Sequence, residues 1–299
     1  MRMPFRRCGT ALALTLLAGA ASACSATQAD SPLTSSKPSQ SSTQPGKVAA
    51  VPEPGAAARR LVFPFDAYNF SPAEVMTREV AEDLLVRDCM KDLGLAWQAL
   101  PGPAESENDP PHRRRYGVIE PQIADVFGYH APPQRPAVIA RKTQDLARIT
   151  AAPPNTREAA GRCLDRARDD MTTGAPKADA AFFNKTIFAT FDASQRDGKV
   201  TQAFHSWSQC MANEGFRYPD PLTAITDPRW QTKEPSAQEI RAAQTDVRCK
   251  EKTNLVPIWT VVEERIQNDA IRAHPKKFQA LKTVKDKQLE IARRTIARN

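Results

Sequence analysis

Residues 71–95 read SPAEVMTREVAEDLLVRDCMKDLGL. Ser71 is an N-cap residue, Pro72 suits the first helical position, where a missing N–H costs nothing, and Glu74 stands where a capping-box acid reaches back to the cap backbone. Val75, Met76, Val80, Leu84, Cys89 and Leu93 recur near one stripe until Gly94, a residue type that ends helices because it turns left-handed without a Cβ clash. One helix is therefore bounded at both ends. The same logic carried outward predicts helices over 156–171, 178–196, 200–214 before Gly215, and 236–254, the last opened by Ser236 with Glu239 three residues on. Pro257 is expected to kink or restart a chain that stays helical to Arg272, and Pro275 precedes a final helix. Strand signals are confined to 61–70 (LVFPFDAYNF) and 116–119, both short and interrupted. The expected fold class is mainly α.

The end of the quoted stretch recurs. Cys89-Met90-Lys91-Asp92-Leu93-Gly94-Leu95 and Cys210-Met211-Ala212-Asn213-Glu214-Gly215-Phe216 share Cys-Met-x3-Gly followed by an apolar residue. A proline-rich loop follows each copy, with Trp97, Pro101 and Pro103 after the first and Tyr218, Pro219, Pro221 and Trp230 after the second. Each loop leads to a helix with one further cysteine, Cys163 or Cys249. The simplest account is two related modules, 61–175 and 176–299. Four cysteines permit three connectivities, and the repeat selects Cys89 with Cys163 and Cys210 with Cys249. Loops of this length give about 4 kcal/mol each in the chain-entropy picture of a disulfide.

The amino terminus predicts export. Arg2, Arg6 and Arg7 form a basic segment, Ala11 to Ala20 a short apolar one, and Ala21-Ser22-Ala23 a small-residue cleavage site, so 1–23 is expected to be a signal peptide. An apolar run of roughly 12 residues is shorter than the 20 or so that a permanent span needs. Cys24 follows the cleavage site, and here the segment resembles a bacterial lipoprotein signal, in which that cysteine is lipidated. Ala21 stands where such signals usually carry Leu, so an ordinary secretory cut is the alternative. Cysteine parity favours the lipid: Cys8 leaves with the signal, and lipidating Cys24 leaves an even set of four for disulfides outside the cytosol. Residues 25–60 are rich in Ser, Thr, Pro, Ala and Gln and cannot bury enough apolar surface to offset their ordering entropy. They are expected to be a disordered tether within 24–60, with a reach on the order of 30 Å. The expected location is the outer face of the cytoplasmic membrane, held by lipid, or alternatively the medium.

Residue types that carry chemistry are present without the spacing that chemistry needs. His112, His130, His205 and His274 fall in no metal-ligand pattern, and the chain has neither a glycine-rich phosphate loop nor a G-x-S-x-G elbow, which excludes the usual nucleotide and hydrolase motifs. His205 and Ser206 are helical neighbours whose side chains diverge by about 100°, so with Ser208 and Glu214 nearby they still make a poor nucleophile and base. Arg162, Arg166 and Arg168 with Asp165, Asp169 and Asp170 read as a solvated helix face. Glu79, Glu82, Asp83, Glu263 and Glu264 could supply a glycosidase-type carboxylate pair, with nothing to select one. Trp97, Tyr116, Tyr129, Trp207, Tyr218 and Trp230 could line a sugar groove or fill a core. No catalytic residue, metal ligand or cofactor is assigned.

The strongest charge feature is the carboxyl end. Between Ala270 and Asn299, Arg272, Lys276, Lys277, Lys282, Lys285, Lys287, Arg293, Arg294 and Arg298 face only Asp286 and Glu290, a net of +7 within a chain of +8. An apolar stripe of Phe278, Leu281, Val284, Leu289, Ala292 and Ile296 accompanies them. A basic helix of this kind is expected to bind an anionic surface through Lys276, Lys277, Lys282, Lys285, Lys287, Arg293, Arg294 and Arg298. The expected partners are the membrane through the lipid, and an anionic wall polymer, anionic lipid or envelope protein; no nucleic acid is expected in that compartment.

Cys210 to Phe216, Asp246-Val247-Arg248-Cys249-Lys250, Asn254-Leu255, Trp259 and Glu263, together with Arg115-Tyr116-Gly117 and Gly128-Tyr129-His130, resemble a group of uncharacterised actinobacterial exported lipoproteins over roughly residues 61–274. The chain departs from that pattern at Pro257 and in its lysine-rich tail. The resemblance implies an envelope role beside export or wall-binding components. The expected function is a non-catalytic interaction or adaptor role near export or cell-wall machinery, with a cell-wall-active enzyme or wall-sugar-binding protein as the alternative.

Overall fold

In the computed structural model, which describes residues 50–299, Ser71 Oγ accepts the Glu74 N–H and Glu74 Oε2 accepts the Ser71 N–H, closing the expected capping box. The signal segment, Cys24 and the tether as far as residue 49 lie outside the described residues. The helices, in chain order, are α1 (Ala56–Arg59), α2 (Pro72–Asp92), α3 (Pro121–Phe127), α4 (Pro136–Ala151), α5 (Pro154–Thr172), α6 (Ala180–Gln195), α7 (Gly198–Asn213), α8 (Pro221–Ile225), α9 (Ala237–Lys252), α10 (Leu255–Ala273) and α11 (Pro275–Ala297). No strand occurs among the described residues. The apolar run at 61–70 instead forms a 3-10 turn at Pro64–Ala67, in which Phe63 donates its N–H to Asp66 Oδ2, and 116–119 is irregular.

The repeated heptad is a helix ending. Gly94 (φ 72°) and Gly215 (φ 87°) are left-handed, and the next apolar residue donates its N–H back to the methionine carbonyl, Leu95 to Met90 and Phe216 to Met211, both at 2.9 Å. That is the wide bond of a Schellman motif. Both methionines are fully buried, so the motif sets a buried side chain beside its cysteine at the same level of each helix. The disulfides join Cys89 to Cys163, tying α2 to α5, and Cys210 to Cys249, tying α7 to α9. Pro257 lies within the first turn of α10, while the break itself is at Asn254, the one non-glycine described residue with positive φ (53°).

The modules 61–175 and 176–299 share one core. The described residues form one compact unit. Tyr116, Val118 and Ile123 from the first half share a core with Trp207, Val247 and Trp259 from the second, and α11 packs along α2 and α5. The tether expected to run to residue 60 also ends earlier on the folded side. Ala58 is fully buried, and Gly55 donates its N–H to Glu120 Oε1 at 2.7 Å. The Pro52 carbonyl accepts from Arg113, so the segment after Ala50 is strapped to the body by its backbone, which composition does not register.

Candidate functional site

Three acids on α9 and α10 are sealed from solvent, and the 112–130 segment is built around them. Glu263 accepts from Tyr116 Oη at 2.9 Å, from Gln267 at 2.8 Å and from Arg115, whose two guanidinium nitrogens both bond to one carboxylate oxygen. Asp246 accepts from Trp207 Nε1 at 2.9 Å and from Lys250 at 2.8 Å, and Lys250 also donates to the Val118 carbonyl. Burial pushes the Asp246 carboxyl up and the Lys250 amine down, each opposed by the other's charge. Glu239 Oε1 accepts the Tyr129 and His130 backbone N–H groups and faces His130 Nδ1 at 2.7 Å.

Gly128 makes the last contact possible. Its φ is 55°, and a Cβ placed there would lie 2.8 Å from Glu239 Oε1. Arg115, Tyr116, Tyr129 and His130 on one side and Glu239, Lys250 and Glu263 on the other thus lock one loop onto two helices. Tyr116 and Tyr129 are held well above their ordinary pKa, first by burial and then by the adjoining carboxylates of Glu263 and Asp246 respectively, so both phenols stay protonated donors. Charged groups buried in this way hold only because each finds partners; removing one strands the others.

The remaining expected residues divide. Of the six aromatics, Tyr116, Tyr129, Trp207, Tyr218 and Trp230 are buried and line no groove. Their polar ends bond internally: Trp230 Nε1 donates to the Ala224 carbonyl, and Tyr218 Oη donates to Asp227, with burial first and Asp227 second pushing that phenol up to about 12. Trp97 alone reaches a cleft. This cleft, about 420 Å3, lies between α2, α4 and α5 and brings Glu79, Glu82 and Asp83 together, whereas Glu263 belongs to the buried lock. Asp83 accepts from Trp97 Nε1 at 3.0 Å, from the Leu100 N–H at 2.7 Å and from Arg148 at 2.8 Å, while Arg148 stacks on Trp97 at 4.2 Å. Glu82 pairs with Arg78 and Arg168. Ser206 bonds to its own helix at the Gln202 carbonyl, and Ser208 to the Tyr218 carbonyl, so neither hydroxyl is set against His205.

The basic helix is partly core. Phe278, Leu281, Leu289 and Ala292 of α11 are buried, with Phe278 stacked on Phe65 at 5.3 Å. Lys285 leaves the expected anion-binding set: it is buried on that same face, donates to the Asp66 and Asn69 carbonyls and pairs with Glu74 at 2.9 Å. Its long stem crosses apolar surface while its ammonium caps the 3-10 turn and the start of α2. Lys276, Lys277, Arg293, Arg294 and Arg298 are exposed; Lys282 and Lys287 are half-buried. Lys277 pairs with Asp179, Lys282 with Asp286 and Arg294 with Glu290.

The helix α4 is not among the expected helices, although the sequence carries its signal. Val138, Ile139, Leu146 and Ile149 recur at helical spacing after Pro136, a good first-turn residue. Among the described residues no three His, Cys, Asp or Glu are grouped to hold a metal ion, and no helix is long and apolar enough to cross a membrane. No protein-family model, curated protein or solved structure matches the chain.

Proposed function

We propose that the protein is a lipid-anchored, non-catalytic component of the cell envelope, holding a disulfide-braced helical body and its basic outer helix just outside the cytoplasmic membrane. The observation that carries this reading is the fate of the ionisable side chains. Asp83, Glu120, Glu239, Asp246 and Glu263, buried carboxylates a hydrolase could draw on, each accept several internal donors and act as fasteners, and buried Glu82 is paired with Arg78 and Arg168. Two disulfides, each with one fully buried cysteine, suit an oxidising compartment. The exposed cations of α11 supply a surface for an anionic wall polymer or lipid, and Lys276, Lys277, Arg293, Arg294 and Arg298 are the residues assigned to it.

The test is incubation of the mature protein with purified cell wall and, separately, with vesicles containing anionic lipid. Co-sedimentation that weakens with salt and releases no soluble wall fragments is expected. Release of fragments in proportion to protein and time would overturn the reading in favour of a wall-active enzyme.

A further inference from the structure

We infer that His130 is a pH-operated clasp, in which a doubly protonated imidazole ties the exposed 231–234 segment to the buried Glu239 of α9 and lets it go when the ring loses a proton. Both ring nitrogens face acceptors at 2.7 Å. Nδ1 meets Glu239 Oε1 and Nε2 meets the Thr232 carbonyl oxygen. A carbonyl can only accept. Glu239 Oε1 already takes the Tyr129 N–H at 2.8 Å and the His130 N–H at 3.2 Å, so it too is used as an acceptor. A neutral imidazole has one N–H and satisfies one of these two contacts; the imidazolium satisfies both.

The surroundings decide which contact fails first. Glu239 is wholly buried, and its Oε2 has no hydrogen-bond partner among the described residues, so the carboxylate relies on the donors gathered at Oε1. The Thr232 side lies at the surface, where residues 231–234 are all exposed and water can replace a lost bond. On deprotonation the remaining proton therefore stays on Nδ1, and the Nε2 lone pair is left against the Thr232 oxygen. The charged groups that face the ring are Glu239 from α9 and Arg114 from the 112–120 loop, whose guanidinium donates to the Tyr129 and His130 carbonyls. Lys233 and Glu234 flank Thr232 on the segment itself.

The His130 pKa is raised above its ordinary value, first by the Thr232 carbonyl and then by Glu239, against an opposing effect of burial and of Arg114. A histidine raised on folding contributes stability that is complete below the unfolded value of about 6.5 and is lost as pH climbs through the folded value. The clasp is thus closed in mild acid and opens toward alkaline pH.

The experiment is an NMR titration of the mature protein, following the His130 ring and the amides of Thr232, Lys233 and Glu234 together. The ring is expected to titrate with a midpoint above about 6.5, and the three amides to shift with that same midpoint. In His130→Gln the amide inflections should vanish while both disulfides and the helical content persist. A ring midpoint at or below about 6.5, or amides that do not follow the ring in the unsubstituted protein, overturns the proposal without recourse to any variant. Amide inflections that persist in a folded His130→Gln protein overturn it as well.

Discussion

Lys250 and Asp246 stand one turn apart on α9 with Nζ and Oδ2 separated by 2.8 Å, and the two side chains keep 2% and 0% of their surface. The pair does more than neutralise itself. Lys250 reaches the Val118 carbonyl and Asp246 holds Trp207 Nε1, so a single helical turn fastens the 112–130 segment on one side and α7 on the other. Lys250→Met should leave a buried carboxylate without its cation and cost about 3–5 kcal/mol in urea denaturation. Asp246→Asn combined with Lys250→Met keeps an acceptor for Trp207 and removes both charges. It should recover more than half of that loss. A double variant no more stable than the single one would show that packing, and not the stranded charge, sets the cost.

The approach of the Gly128 backbone to Glu239 makes a second prediction. Gly128→Ala forces a Cβ to 2.8 Å from a buried carboxylate oxygen at φ 55°, and a strained residue of this kind costs roughly 1–3 kcal/mol. Gly198→Ala is the matched control: this glycine begins α7 and a Cβ there meets nothing within 4 Å. It should be neutral or stabilising by up to about 1 kcal/mol. Equal thermal shifts for the two variants would remove close approach as the reason for glycine at 128.

How much of the fold is legible in the sequence follows from how local each determinant is. The Ser71 cap, the apolar stripe after it and the Gly94 ending lie within one short stretch, and Gly215 closes α7 in the same way, so α2 and the end of α7 are legible locally. The cysteine pairing was legible for a related reason, because the heptad repeats and each copy has one later cysteine. The lock around Glu263, Asp246 and Glu239 was not, since Tyr116 and Glu263 meet across 147 residues and Tyr129 and Glu239 across 110. Charges at 239, 246 and 250 share a face with Ala242, Ala243 and Cys249, and charged residues on so small-sided a stripe are the trace such burial leaves in sequence. Lys285 misled for the same reason: its neighbours in sequence are basic and wet, whereas its spacing from Phe278, Leu281, Leu289 and Ala292 sets it on the core face.

The proposed anchor makes a third prediction. Cys24→Ala should move the protein from the membrane fraction to the medium or the soluble envelope fraction, and its body should keep the same thermal midpoint, since the packed core is built from residues well past Cys24. A substituted protein that stays with membranes after a high-salt wash would set aside the lipid as the sole tether.

The last prediction separates the two roles of α11. Truncation after Pro275 would uncover Phe65, Ala81, Phe183 and Met171, the residues it covers in two clusters, so the shortened chain should unfold or lose most of its thermal stability. Truncation therefore cannot test the charge, and substitution must. Changing Lys276, Lys277, Arg293, Arg294 and Arg298 to Gln removes five exposed cations, and the ion pairs that go with them are exposed ones worth little. Stability should hardly change. Each cation near an anionic surface contributes about 1 kcal/mol, so vesicle or wall binding should fall by well over tenfold when five act together. The remaining attraction should fade with added salt, because screening sets in over about 8 Å at physiological ionic strength. Lys285→Gln should do the reverse, lowering the thermal midpoint through loss of its Asp66, Asn69 and Glu74 contacts while leaving the binding of the folded protein unchanged. Binding that survives the five-fold substitution intact would remove the exposed face of α11 from the proposed function and leave the helix a structural part of the core.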